Sequence, residues 1–189
     1  MDDFYTASLK GQFLVAMPLM VDPNFFKTVI CICEHNSDGA MGMVINRPYS
    51  SIFGKNIFDA LEIESDEAVQ TIPIYKGGPV HTNDIFVIHG PPNIWQSSLI
   101  VTDSIILSNT LDILEAISQR KGPESFIIVM GFAGWGPGQL EAEIKENVWL
   151  NCPIDTDIIF NSPIDIRWET AVGQLGIDPA SISNIAGHA

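Results

Sequence analysis

The run Phe126-Ile127-Ile128-Val129-Met130, followed without interruption by Gly131-Phe132-Ala133-Gly134-Trp135-Gly136-Pro137-Gly138, constrains the fold more than any other stretch of the chain. An apolar, β-branched run with no polar face predicts a strand buried within a sheet. The glycines then predict a loop, and Pro137 suits the first turn of a helix, where its missing N–H is harmless. That helix is expected over residues 137–148. Leu140, Ile144 and Val148 form its core stripe, and Glu141 and Lys145 are spaced to pair on its exposed side.

The rest of the chain reads as strands that neighbour one another early and helices that arrive late and singly. Residues 13–19 and 28–34 are strands separated by the Asp22-Pro23-Asn24 turn. Residues 28–34 and 41–45 form an antiparallel hairpin around the His35-Asn36-Ser37-Asp38-Gly39 turn, and Asn46-Arg47-Pro48 ends it. Residues 48–54 and 90–93 read as ordered loops. A short helix is expected at 56–61, an acidic connection at 62–67, a strand and turn at 74–79 and a strand at 85–89 that stops at Gly90-Pro91-Pro92. A second hairpin joins 98–101 to 105–107. Leu111, Ile113, Leu114 and Ile117 recur at helical spacing over 110–121, with Gly122 as a left-handed stop. Residues 157–160 read as the last strand, and Ser162-Pro163-Ile164-Asp165 opens a final helix closed by Gly176. This order predicts an α+β fold: a single compact domain over residues 1–189, with a mixed, mostly antiparallel sheet and a few flanking helices. No low-complexity run, linker or internal repeat divides it.

Composition narrows the function. The 189 residues carry only 9 Lys and Arg against 23 Asp and Glu, a formal net charge of −14, and Arg120-Lys121 is the one adjacent cationic pair. Phosphate backbones and anionic membrane surfaces are bound by clustered cations, so direct nucleic-acid binding and membrane association are both disfavoured. The start, Met1-Asp2-Asp3-Phe4, is acidic where a secretory leader would be basic, and the apolar residues 13–20 are broken by Pro18. A cytoplasmic location is expected, with the three cysteines as reduced thiols.

The glycine-rich segment invites a phosphate-loop reading, because backbone donors at a helix start attract anions. Its details oppose that reading: Pro137 removes a donor, and Glu141 and Glu143 repel. The glycines instead let Trp135 tuck against the sheet while the helix approaches closely. Cys31, Cys33 and His35 share one face of a strand, but same-face neighbours lie roughly 6.5 to 7 Å apart, too far for one zinc ion. No metal and no cofactor are expected. Nothing local lowers a thiol pKa, and neither a Gly-x-Ser-x-Gly elbow nor a His-Glu-x-x-His pattern occurs. Glu34, His35, His89 and Glu141 form an acid–base set only if folding gathers them. The candidate binding residues are Glu34, His35, Asn36, Asn46, Arg47, Gly77, Gly78, Trp135, Gln139 and Glu141, expected to converge in one recess beside the Trp135 indole.

Several of these segments together carry a resemblance. Phe13-Leu14-Val15-Ala16-Met17-Pro18, Cys33-Glu34-His35-Asn36, Gly39-Ala40-Met41-Gly42, Asn46-Arg47-Pro48 and Gly77-Gly78-Pro79-Val80 occur in this order. They are followed by the Gly131 to Glu141 loop, Asn147-Val148-Trp149-Leu150, Arg167-Trp168 and the terminal Gly187-His188-Ala189. The set resembles the YqgE/AlgH family of bacterial proteins. Phe132 stands where a tyrosine is common, and Asn151-Cys152 stands before Pro153 where relatives more often have small or apolar residues. The resemblance implies a one-domain α+β fold with a branched, barrel-like sheet, and a cytoplasmic protein. Its name implies a link to transcriptional control of alginate production, which with this acidity would run through a protein partner or small ligand. No catalytic residues transfer. The expectation is a non-enzymatic regulatory or binding protein; the competing expectation is a small enzyme using Glu34, His35 or Glu141 as acid or base.

Overall fold

Ten strands and six short helices follow from these segments in a computed structural model that describes residues 7–18, 20 and 22–179. The acidic start and the Gly187-His188-Ala189 end lie outside the described residues. The strands are β1 (Gln12–Ala16), β2 (Val29–Asn36), β3 (Gly39–Val44), β4 (Pro48–Phe53), β5 (Pro73–Lys76), β6 (Val80–His89), β7 (Ser98–Thr102), β8 (Ile105–Ser108), β9 (Phe126–Trp135) and β10 (Trp149–Pro153). The helices are α1 (Gly54–Ala60), α2 (Glu67–Gln70), α3 (Leu111–Ser118), α4 (Gln139–Lys145), α5 (Thr156–Phe160) and α6 (Arg167–Gln174), the last preceded by a 3₁₀ turn at Ile164–Ile166.

The main path of the sheet is β10-β1-β2-β3-β9-β6-β8-β7, antiparallel at every step. β9 is the branch point. One of its edges runs along β6, while the other is split: Ile128 to Met130 pair in parallel with β5, and Ala133 to Trp135 pair antiparallel with β3. β4 hangs on β5. The result is a single compact domain with a curled, half-barrel sheet, as the resemblance implies.

Period-two alternation explains the apolar runs. Phe13, Val15, Cys31, Met43 and Val129 point into the curl, which is closed by Ile158 and Ile159 of α5 and Trp168 and Val172 of α6. Leu14, Ile30, Ile32, Ala133 and Trp135 point outward beneath Leu140 of α4. Ile74, Val87 and Ile128 point outward beneath α1 and α3. Both faces are therefore covered, and each large aliphatic side chain so buried contributes about 1.5–3 kcal/mol.

Several boundaries differ from the sequence reading. Residues 131–135 are not loop but the second half of β9, held in the ladder by β3. The helix expected at 137–148 begins at Gln139, because Gly138 takes a left-handed φ of 73° in front of it. Residues 157–160 are helical, not a strand: Asp155 caps them by accepting from the Asp157 N–H at 2.9 Å. The last strand is instead Trp149–Pro153, and residues 48–53 add the irregular β4. The left-handed stop after α3 is Arg120, not Gly122. Gly176, at φ 70°, ends α6 as expected.

Candidate functional site

The predicted binding residues gather at the two ends of β3. At its start, Asn36 and Gly39 flank the hairpin turn, and Asn36 Oδ1 accepts from the Asp38 N–H at 2.8 Å. Ala40 lies opposite Trp135, so β9 delivers the indole and then α4 to this end. The His35 side chain is only 5% exposed. Its Nδ1 accepts from the Leu9 N–H at 2.9 Å, which leaves the proton on Nε2 to donate to Glu141 Oε1, also at 2.9 Å. The Glu141 carboxyl is held below its usual range by its own backbone N–H in the first turn of α4, then by His35 and the Lys145 charge, against the opposing effect of partial burial. Glu141 and Lys145 form no ion pair with each other; Glu141 faces His35 instead.

Glu143, which the sequence marked only as a repulsive charge, organises the same end. Its Oε2 accepts from the indole N–H of Trp135 at 2.8 Å and of Trp149 at 2.7 Å, and its Oε1 accepts from Gln139 Nε2 at 2.8 Å. Gln139 Oε1 in turn accepts from the Gly136 N–H at 3.1 Å. Glu34 is exposed and accepts only a long bond, 3.4 Å, from Asn36 Nδ2. Glu34, Asp38 and Trp135 line a shallow recess of about 310 Å³.

At the far end of β3, Asn46 locks the exit turn: its Oδ1 accepts from the Val29 N–H and its Nδ2 donates to the Lys27 carbonyl, both at 2.9 Å. Arg47 donates its guanidinium to the Phe26 carbonyl, and its own carbonyl accepts from the Lys76 N–H at 2.7 Å. Lys76 Nζ stands 5.0 Å from the Tyr49 ring centre. Gly77 bridges sheets, donating to the Met130 carbonyl and accepting from the Val44 N–H, both at 2.8 Å. A Cβ at Gly78 would sit 2.1 Å from the Phe132 carbonyl carbon, so only glycine lets this backbone cross β9. Asn24, Arg47, Tyr49, Lys76, Gly78 and Thr82 line a recess of about 490 Å³. The buried Arg167 donates to the carbonyls of Ile45 and Ser162 and stacks 5.3 Å from the Tyr75 ring. Burial lowers the Arg167 pKa and raises that of Tyr75.

The expected single recess beside Trp135 is therefore divided. Trp135, Glu34 and Asn36 line one recess, which reaches Met41 of β3; Arg47 and Gly78 line the other, which begins at Val44 of the same strand. The physical reason is the split edge of β9, which hands β3 over to the Gly77 segment halfway. Of the acid–base set, folding joins only His35 and Glu141. His89 is buried elsewhere, between the Gly90 carbonyl (2.6 Å) and Ser108 Oγ (2.9 Å). Cys31 and Cys33 are buried with the Cys33 thiol aimed at the Cys31 carbonyl, and no three His, Cys, Asp or Glu side chains cluster as metal ligands among the described residues. Lys76, Tyr49, Glu143 and Arg167 were missed as neighbours of these sites. Of these, Lys76, next to Gly77-Gly78, and Arg167, in the Arg167-Trp168 pair, carried a sequence signal.

The family model described as AlgH-like (DUF179) matches residues 13–180. The chain belongs to the AlgH-like family. A UPF0301 protein of Thioalkalivibrio sulfidiphilus is 46% identical over 184 residues, covering 97% of this chain and 98% of the relative. One of Desulforapulum autotrophicum is 46% identical over 181 residues, covering 96% of each. The solution structure of AlgH from Pseudomonas aeruginosa superposes with a TM-score of 0.80 at 42% identity over 100% of both chains. Protein DIP2367 of Corynebacterium diphtheriae shares the fold at 18% identity, with a TM-score of 0.71 over 94% of this chain and 90% of that one. AlgH-like membership thus agrees with the half-barrel described above. No helix among the described residues is long and apolar enough to cross a membrane.

Proposed function

We propose that this AlgH-like chain is a non-enzymatic regulatory protein that acts by holding a small ligand or a protein partner. Any effect on transcription would then be indirect, carried by that contact and not by binding to an operator. One contrast carries the reading. Two of the three groups the competing acid–base reading needs are engaged with each other: both ring nitrogens of His35 are bonded and Glu141 holds His35, while the third, Glu34, is exposed and not joined to them. The recess at the other end of β3 instead lines about 490 Å³ with polar and cationic side chains, within the size range of small-molecule sites.

The test is to incubate the full chain with a metabolite extract, separate it from unbound material and weigh the complexes by native mass spectrometry. A retained species that is lost in Arg47→Ala, with the far-ultraviolet spectrum unchanged, supports the proposal. An extract component that is consumed catalytically, at a rate that collapses in Glu141→Gln and not in Arg47→Ala, overturns it.

A further inference from the structure

Resting on that binding reading, we infer that the Arg47–Lys76 recess takes a small organic oxyanion: a phosphomonoester or carboxylate carried on a compact apolar body. The distribution of charge points there. Of the 9 Lys and Arg in the chain, Arg47 and Lys76 line this one recess, and among the described residues no Asp or Glu lines it. Two more are tied to Ile45 and Asn46, next to Arg47 and outside the lining. Arg167 holds the Ile45 carbonyl directly ahead of Asn46, and Lys27 is tied through its carbonyl to Asn46, with its ammonium 5.1 Å from the Trp168 ring centre. Asp22, the acid nearest in sequence to the lining residues Pro23 and Asn24, spends Oδ1 on the Asn24 backbone and side-chain N–H groups at 2.8 and 3.0 Å. Asp84 is paired with His81 at 3.2 Å.

The neighbouring donors suit an oxyanion as well. Asn24 and Thr82 add neutral hydrogen-bonding groups; the Arg47 guanidinium, which also donates to the Phe26 carbonyl, is a fork suited to phosphate or carboxylate oxygens, and the Lys76 ammonium adds a point charge. Pro23, Pro48 and Pro79 supply flat apolar walls for the rest of the molecule. The net charge of −14 selects against long polyanions, which would meet the acidic surface beyond the recess. A single oxyanion inside it lies within a Debye length, about 8 Å at physiological salt, of the local cations and is screened from the remainder.

The test is a titration of the isotope-labelled full chain, followed through backbone amide signals, with four probes: adenosine monophosphate, benzoate, and their neutral counterparts adenosine and benzyl alcohol. The expected result is that at least one anion moves the amides of Arg47, Gly78 and Thr82, and that its neutral counterpart binds about tenfold more weakly or worse. In Lys76→Glu, an exposed position, the anion's affinity falls by about tenfold or more while signals from α3 stay in place. The tighter of the two anions assigns phosphate or carboxylate as the source. Absence of amide shifts with both anions, equal binding of a neutral counterpart, or undiminished affinity in Lys76→Glu would each overturn the inference. A ligand retained from extract by the native chain and by Lys76→Glu, but lost in Arg47→Ala, would leave the binding reading standing and remove only the oxyanion.

Discussion

His35 Nε2 lies 2.9 Å from Glu141 Oε1, joining the end of β2 to the first turn of α4 across 106 residues of chain. Because the folded carboxyl titrates below its usual range, its contribution to stability is present above the unfolded glutamate pKa, about 4.3, and is lost as pH falls through the folded value. Glu141→Gln should cost about 1 kcal/mol in urea unfolding at pH 7. The gap between the variant and the native chain should narrow steadily as pH is lowered below the unfolded glutamate value; a gap independent of pH would refute the charge-based account.

Glu143 is the deeper support of that end. Removing its carboxylate in Glu143→Ala leaves two indole N–H groups without their acceptor, each worth about 1–3 kcal/mol, so a loss of about 2–6 kcal/mol is expected in urea. Glu143→Gln keeps an acceptor oxygen and should cost about half as much or less.

His89 gives a second pH window. Burial lowers its pKa, partly opposed by the bond to the Gly90 carbonyl. Its contribution is therefore intact above the unfolded histidine value, about 6.5, and declines as pH drops below it. The stability difference between the native chain and His89→Gln should shrink between pH 7 and pH 5, as read from denaturant midpoints.

The thiols should be inert in the folded chain. Burial pushes Cys152 up to about 11, and Cys31 is raised by its bond with Cys33 and then by burial. A thiol reagent at pH 8 is expected to label none of the three free cysteines rapidly and all of them after denaturation.

Gly78→Ala tests the branch point. The added methyl meets the backbone of Phe132 and Ala133, so the strands must part, at a cost of at least about 1–3 kcal/mol and with lower soluble yield. Gly173→Ala, with open space around the added carbon, is the control.

Much of this architecture was legible because these strands carry uninterrupted apolar runs: Val29 to Cys33 and Phe126 to Met130 each needed a sheet covered on both faces, and each has one. Residues 157–160 were misread because four residues of Asp-Ile-Ile-Phe are too few for a period to show, and the Asp155 cap decides. Gly131 to Trp135 were misread as loop because glycine reports a backbone's freedom and not its partners; here the partner is β3, far away in sequence. The site was half legible. His35, Asn36, Trp135, Gln139 and Glu141 do gather, and so do Asn46, Arg47, Gly77 and Gly78. That these are two groups depends on which strand β9 pairs with at each step, and no local pattern encodes that.

Arg167 reaches from the start of α6 to the carbonyl of Ile45, 122 residues earlier. The carbonyl two residues before Arg47 is thus held from α6. Without that guanidinium the Ile45 carbonyl loses its donor, so the direction in which the Asn46-Arg47 corner leaves β3 depends on a side chain anchored in another layer of the fold.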